Sequence, residues 1–165
     1  MTPSINPRSR AGLPSAAASI ALAVAVGGVG AVATASSVKT WYVGLIKPSF
    51  NPPDAVFGPV WTTLYVLMAL AAWRVWRAGP ANGRRRRALV LYGVQLLLNL
   101  AWSVIFFGLR RPDLALAEIV ILFLAVVATA GVFWRMDRVA GLMMIPYAAW
   151  VMFASVLNFE IWRLN

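Results

Sequence analysis

The chain alternates between long apolar runs and short clusters of arginine, lysine and proline. Five runs carry almost no charge, at residues 11–38, 55–73, 88–109, 114–134 and 139–162. Each meets or approaches the roughly 20 residues an α-helix needs to cross about 30 Å of hydrocarbon. The pattern predicts an all-α integral membrane protein, a five-transmembrane-helix bundle with spans near 15–36, 55–76, 88–109, 113–134 and 139–162. Residues 1–14 hold three prolines and two arginines without apolar periodicity and read as a disordered tail, leaving 15–165 as the membrane domain.

The first run admits two readings. Its basic flank and the Ala33, Thr34, Ala35 sequence near its end resemble a cleavable signal peptide. Against that, Ala23, Gly27, Ala31 and Ala35 recur every four residues, a stripe that lets a neighbouring helix approach closely. Between the first two runs, Pro48, Pro52 and Pro53 forbid a regular helix, and the segment is read as a lid over one end of the bundle. Pro59 and Pro146 are expected near a first turn and at a kink, and Asp113 is placed to cap the fourth helix. The connections near 110 and 136 are short, so helices three, four and five must be antiparallel neighbours.

Composition supports this reading: 61% of residues are hydrophobic and 12% charged, against roughly 25% charged in soluble domains. The net charge of +10 does not indicate nucleic acid, because the basic residues mark the ends of apolar runs. Ten of them (Arg8, Arg10, Arg74, Arg77, Arg84 to Arg87, Arg135, Arg138) fall on one side of the membrane. Five (Lys39, Lys47, Arg110, Arg111, Arg163) fall on the other. The positive-inside bias places the amino terminus in the cytoplasm, and helical spans favour a bacterial cell membrane over an outer membrane. The chain has no cysteine and no histidine, which excludes disulfides, common zinc sites, Cys or His nucleophiles and a His or Cys haem ligand.

Eight tryptophans raise the question of which are interfacial. Trp41, Trp73, Trp76, Trp134 and Trp162 lie near predicted boundaries, where an aromatic belt is expected. Trp61, Trp102 and Trp150 lie deeper. Trp61 shares a helix face with Tyr65; Gln95, Asn99, Trp102 and Phe106 form one stripe on span three; Tyr147, Trp150, Ala154 and Asn158 form another on span five. Amides in hydrocarbon seek partners on other helices, so these faces point inward. They serve either as packing contacts or as the walls of a pocket for a flat apolar ligand. Glu118 is the one acid well inside a span, shallow enough to pair with Arg110 or Arg111. No paired carboxylates, activated nucleophile or phosphate loop is present, so no catalytic constellation is read.

The residues resemble the TspO/translocator protein family over roughly 41–165. The resemblance rests on Trp41 and Tyr42; Lys47 to Pro53; Gly58, Pro59, Val60 and Trp61 with Leu64 and Tyr65; Asn99 and Trp102 with Phe106 to Gly108. It continues through Pro146, Tyr147 and Trp150, then Leu157 to Phe159 with Trp162 and Arg163. It implies a five-helix bundle, commonly a homodimer, that binds porphyrins such as protoporphyrin IX and haem, and in animal members cholesterol and benzodiazepine-type drugs. No cofactor is implied; porphyrin enters as ligand, with the lipid bilayer as the other partner. The family's pocket positions fall on Trp61, Tyr65, Asn99, Trp102, Tyr147, Trp150, Ala154 and Leu157, with Phe50 in the lid. The resemblance leaves two alternatives beside a porphyrin receptor: light-dependent porphyrin degradation through Trp61 and Trp150, and sterol transport or membrane interaction. Three departures stand out. Phe50 replaces a lid tryptophan, Ser103 replaces a proline of animal members, and the carboxyl end lacks the tyrosine of the cholesterol pattern.

Overall fold

The computed structural model describes residues 12–78 and 82–165, so most of the expected N-terminal tail, 1–11, lies outside the described residues. Five helices follow: α1 (Gly12–Lys39), α2 (Asp54–Arg77), α3 (Gly83–Ser103), α4 (Pro112–Met136) and α5 (Arg138–Leu164). All five contain a stretch long and apolar enough to cross a membrane. A short 3₁₀ turn (Tyr42–Gly44) opens the lid, and α3 continues through a π-helical turn, Val104–Gly108.

The helices run past the expected span ends. α1 begins at Gly12, inside the expected tail, and α3 begins at Gly83, so the Arg84 to Arg87 cluster is helical rather than a loop. The reason lies at the start of α3: the Asn82 side chain accepts a hydrogen bond from the Arg85 amide (3.0 Å), capping a helix whose first turn extends out of the hydrocarbon. The expected Asp113 cap is not made. Pro112 occupies the first turn of α4, where its missing N–H costs nothing, and Asp113 pairs instead with Arg111 at 2.6 Å. Asp137 is the capping acid that sequence reading overlooked, accepting from the Ala140 amide at the start of α5.

Around the bundle the order is α1, α2, α5, α4, α3, with α3 closing back on α1. The antiparallel neighbours α4 and α5 share the largest contact, as their short connection requires. Toward the arginine-rich end the ring is solid: Met68 and Val75 of α2, Phe133 of α4 and Met144 of α5 have no exposed surface. Toward the lid it is hollow.

Candidate functional site

The hollow half encloses a chamber of about 580 Å³, within the range of small-molecule sites. α1, α2, α3 and α5 line it; α4 supplies no wall and packs behind. From α1 come Gly27, Ala31, Thr34 and Ala35, three of them on the stripe read from the sequence. Their smallness has a measurable purpose. A Cβ on Gly27 would lie 2.3 Å from the Tyr65 ring, so only glycine lets α1 approach that ring. The stripe thus serves both close packing and the chamber wall.

Aromatic rings form the opposite walls. Trp61 on α2 and Trp150 on α5 stand nearly perpendicular (86°), ring centres 6.4 Å apart, and Phe57 meets Trp150 edge-on at 5.9 Å. On α3, Trp102 stacks on Phe106 at 5.2 Å, and the π-helical turn that follows carries Phe106 and Phe107 toward the lid residue Tyr42. Hydrogen bonds fix two of the wall rings, Tyr65 and Trp102. The Tyr65 hydroxyl donates to Asn99 Oδ1 (2.6 Å), and Asn99 Nδ2 donates to the Tyr147 hydroxyl (3.2 Å), tying α2, α3 and α5 together. Trp102 Nε1 donates to Asn158 Oδ1 (3.0 Å), and Asn158 Nδ2 donates to the Pro112 carbonyl (2.8 Å). The Asn99 and Asn158 amides thus have partners on other helices, as membrane interiors demand, whereas Gln95 reaches only Met68 Sδ (3.9 Å) and its Oε1 is unbonded.

Of the residues named from the sequence, Trp61, Tyr65, Asn99, Trp102, Trp150, Ala154 and Leu157 line the chamber together. Two do not. Tyr147 has no exposed surface and stands behind Trp61 as the end of the hydrogen-bonded brace. Phe50 is 45% exposed and packs edge-on against Phe153, outside the lining. Phe57, Thr34 and the lid residue Tyr42 line the chamber and were not singled out from the sequence as pocket residues. Phe57 lies four residues before Trp61, so helical spacing could have found it.

The lid is held by specific contacts. Tyr42 is buried and donates to Asn51 Oδ1 (3.2 Å), with Lys47 Nζ 4.3 Å from the centre of its ring. Burial, helped by the nearby Asp54 carboxylate, pushes the Tyr42 phenol up to about 12. The Asn165 amide grips the Ile46 backbone at both ends, accepting from its N–H and donating to its carbonyl, each at 3.0 Å.

Among the described residues the wall residue Trp150 has its Nε1 buried without a hydrogen-bond partner. Both Glu118 oxygens are likewise buried without a partner, but Glu118 does not line the chamber. It pairs with neither Arg110 nor Arg111, and Arg111 is engaged by Asp113. Among the described residues no cluster of three metal-binding side chains occurs. The arrangement can therefore enclose a flat apolar molecule between rings.

Comparison with known proteins adds a second line. The model of the TspO/MBR family matches residues 19–163. The chain is 42% identical to the Tryptophan-rich protein TspO of Chlorobaculum tepidum, over 88% of this chain and 92% of that one. It is 43% identical to the Tryptophan-rich sensory protein of Cereibacter sphaeroides, over 76% and 77% of the two chains. To the human Translocator protein it is 41% identical, over 76% and 75%.

Proposed function

This chain belongs to the TspO/MBR family and is an integral, multi-pass membrane protein, and on that premise we propose that it is a receptor for porphyrins and related flat hydrophobic ligands. The observation that carries the reading is the perpendicular Trp61 and Trp150 pair in a chamber of about 580 Å³, with an unbonded indole N–H among the rings. A tetrapyrrole such as protoporphyrin IX or haem stacks on such rings. Lys39, at the end of α1, lines the same chamber and offers a charge for an acidic substituent. The names of the sensory and translocator relatives favour sensing or moving such a ligand over merely storing it. The same reading places the arginine-rich end in the cytoplasm of a bacterial cell membrane and the chain in a homodimer.

With no His or Cys to bind iron strongly, recognition rests on the ring faces rather than the metal. Purified protein titrated with metal-free and with iron porphyrin should show tryptophan quenching with affinities within about tenfold of each other. An absolute requirement for iron, or no quenching, refutes the reading. The adjacent, perpendicular indoles also favour a second one, photo-oxidation of bound porphyrin by dioxygen with Trp61 and Trp150 as the reactive groups. Replacing both with Phe should stop light-dependent loss of porphyrin absorbance while binding persists; unchanged loss means simple bleaching.

A further inference from the structure

The two ends of the bundle handle charge differently. At the lid end, Arg111 pairs with Asp113 and Arg163 with Glu160, each at 2.6 Å. At the other end, Asp137 is the one carboxylate among the described residues, and it faces eight arginines: Arg74, Arg77, Arg84 to Arg87, Arg135 and Arg138. It is already engaged. Arg74 grips it through two nitrogens (3.2 and 2.9 Å), and it caps α5. Asp137 is half-buried; although burial opposes charge there, the Arg74 and Ala140 hydrogen bonds outweigh it and hold the carboxyl below its ordinary range. It has little left to offer a second guanidinium.

Beside this pair lies a cleft of about 250 Å³ lined by Trp73, Arg74, Arg77, Ala78 and Asp137. That is far more room than the ~30 Å³ of one water. The Arg77 guanidinium lies over the Trp73 ring, 4.8 Å from its centre, and makes no ion pair among the described residues. Trp73 is itself fixed by a hydrogen bond from Nε1 to Ser15 Oγ (3.1 Å), so the platform under Arg77 is held in place. Arg74, which lines the cleft, spends Nε and Nη2 on Asp137 and leaves Nη1 uncommitted to that carboxylate. Depth fits as well. The 24 residues of α2 rise about 36 Å, longer than the ~30 Å hydrocarbon core, so its last turn, Arg74 to Arg77, reaches headgroup level.

We propose that this cleft is a docking site for the phosphate of an anionic phospholipid in the leaflet at the arginine-rich end. Arg77, stacked on Trp73, supplies the planar fork that suits a phosphate, and Arg74 adds a further donor. The remaining exposed arginines raise the local concentration of anionic headgroups. The proposal is independent of what the chamber holds.

The test uses the full chain released from vesicles of equal phosphatidylglycerol and phosphatidylcholine, with retained lipid counted by native mass spectrometry. The chain should keep phosphatidylglycerol about fivefold over phosphatidylcholine, the value of roughly one arginine contact at a membrane surface. Arg77→Gln should bring retention to near parity with its thermal midpoint in pure phosphatidylcholine unchanged. Arg110→Asn, which removes a charge at the opposite end where a positive φ of 56° suits asparagine, should leave the preference intact. An undiminished preference in Arg77→Gln overturns the proposal. So does an equal loss in Arg110→Asn, which would mean attraction by net charge alone. Inorganic phosphate should fail to displace the lipid; if it competes fully, the cleft is an ion site rather than a lipid site.

Discussion

Toward the lid the five-helix ring encloses about 580 Å³, whereas toward the arginine-rich end it closes on Met68, Val75, Phe133 and Met144 without residual exposure. The two halves share the helices and much of the composition but not the way the space between them is managed. In the solid half, medium-sized side chains from facing helices interdigitate. In the hollow half, one wall is lined by small residues while the others carry large rings, of which Tyr65 and Trp102 are held by hydrogen bonds to Asn99 and Asn158. A cavity in a membrane bundle is thus built as deliberately as a core, and its contents differ in kind: a brace of hydrogen bonds replaces close packing.

The contrast breaks most sharply at the solid end. Phe133→Ala should cost about 3–5 kcal/mol, because the bundle cannot refill the space, and should lower the thermal midpoint without altering porphyrin quenching per folded molecule. Phe57→Ala, whose ring faces space that already exists, should cost distinctly less stability and weaken binding instead. Equal losses in both assays would mean that the halves are not distinct.

Next in size is the small-residue wall. Gly27→Val drives side-chain atoms into Tyr65 and should disturb its bond to Asn99, weakening ligand binding by about tenfold, the equivalent of ~1.4 kcal/mol of overpacking. Gly131→Val on α4, the helix that lines no part of the chamber, is the control, since a Cβ there meets nothing within 4 Å. Its binding should be nearly unchanged.

How legible this was in the sequence follows from the same contrast. Helical spacing identifies a face, so Trp61 with Tyr65, the stripe from Gln95 to Phe106, and Trp150 with Ala154 could be placed inward before any coordinates. Spacing does not give depth within a face. Tyr147 and Trp150 share a stripe, yet one is a buried brace and the other a wall. Nor does the lid have a period: Phe50 lies outside the lining whereas Tyr42 lies within it, and tertiary contacts alone decide that. Asp113 looked like a cap, but α4 begins at Pro112, so Arg111 holds the N-cap position and Asp113, inside the first turn, pairs with the Arg111 side chain.

A smaller effect separates the ends by pH. Asp137 titrates below its ordinary value, so its share of stability is complete above about pH 4 and is lost as pH falls through the lowered value. Asp137→Asn should lower stability near neutrality by about 1–2 kcal/mol and flatten the acid limb of a pH–stability curve. At the lid the sign reverses. Tyr42 is raised from 10.0 to about 12, so its contribution is complete below pH 10 and disappears as pH rises through about 12. Tyr42→Phe should therefore flatten only the alkaline limb. An unchanged curve in either variant removes that end from the account.

Smallest is the latch. Asn165→Ala removes both bonds to the Ile46 backbone and should raise amide exchange at Ile46 by about fivefold, near 1 kcal/mol, with the solid half unaffected. Exchange that rises equally in α4 would make Asn165 a global support rather than a lid contact.

The central claim is that ligand enters the hollow half and no other part of the molecule. Fluorine NMR of protein labelled with fluorotryptophan reads all eight indoles at once. During titration with metal-free porphyrin, the Trp61 and Trp150 resonances should move or broaden first, followed by Trp102, while Trp73, Trp76 and Trp134 stay fixed. Early movement at Trp73 or Trp76 with Trp61 and Trp150 unchanged would place the ligand at the arginine-rich end and contradict the account.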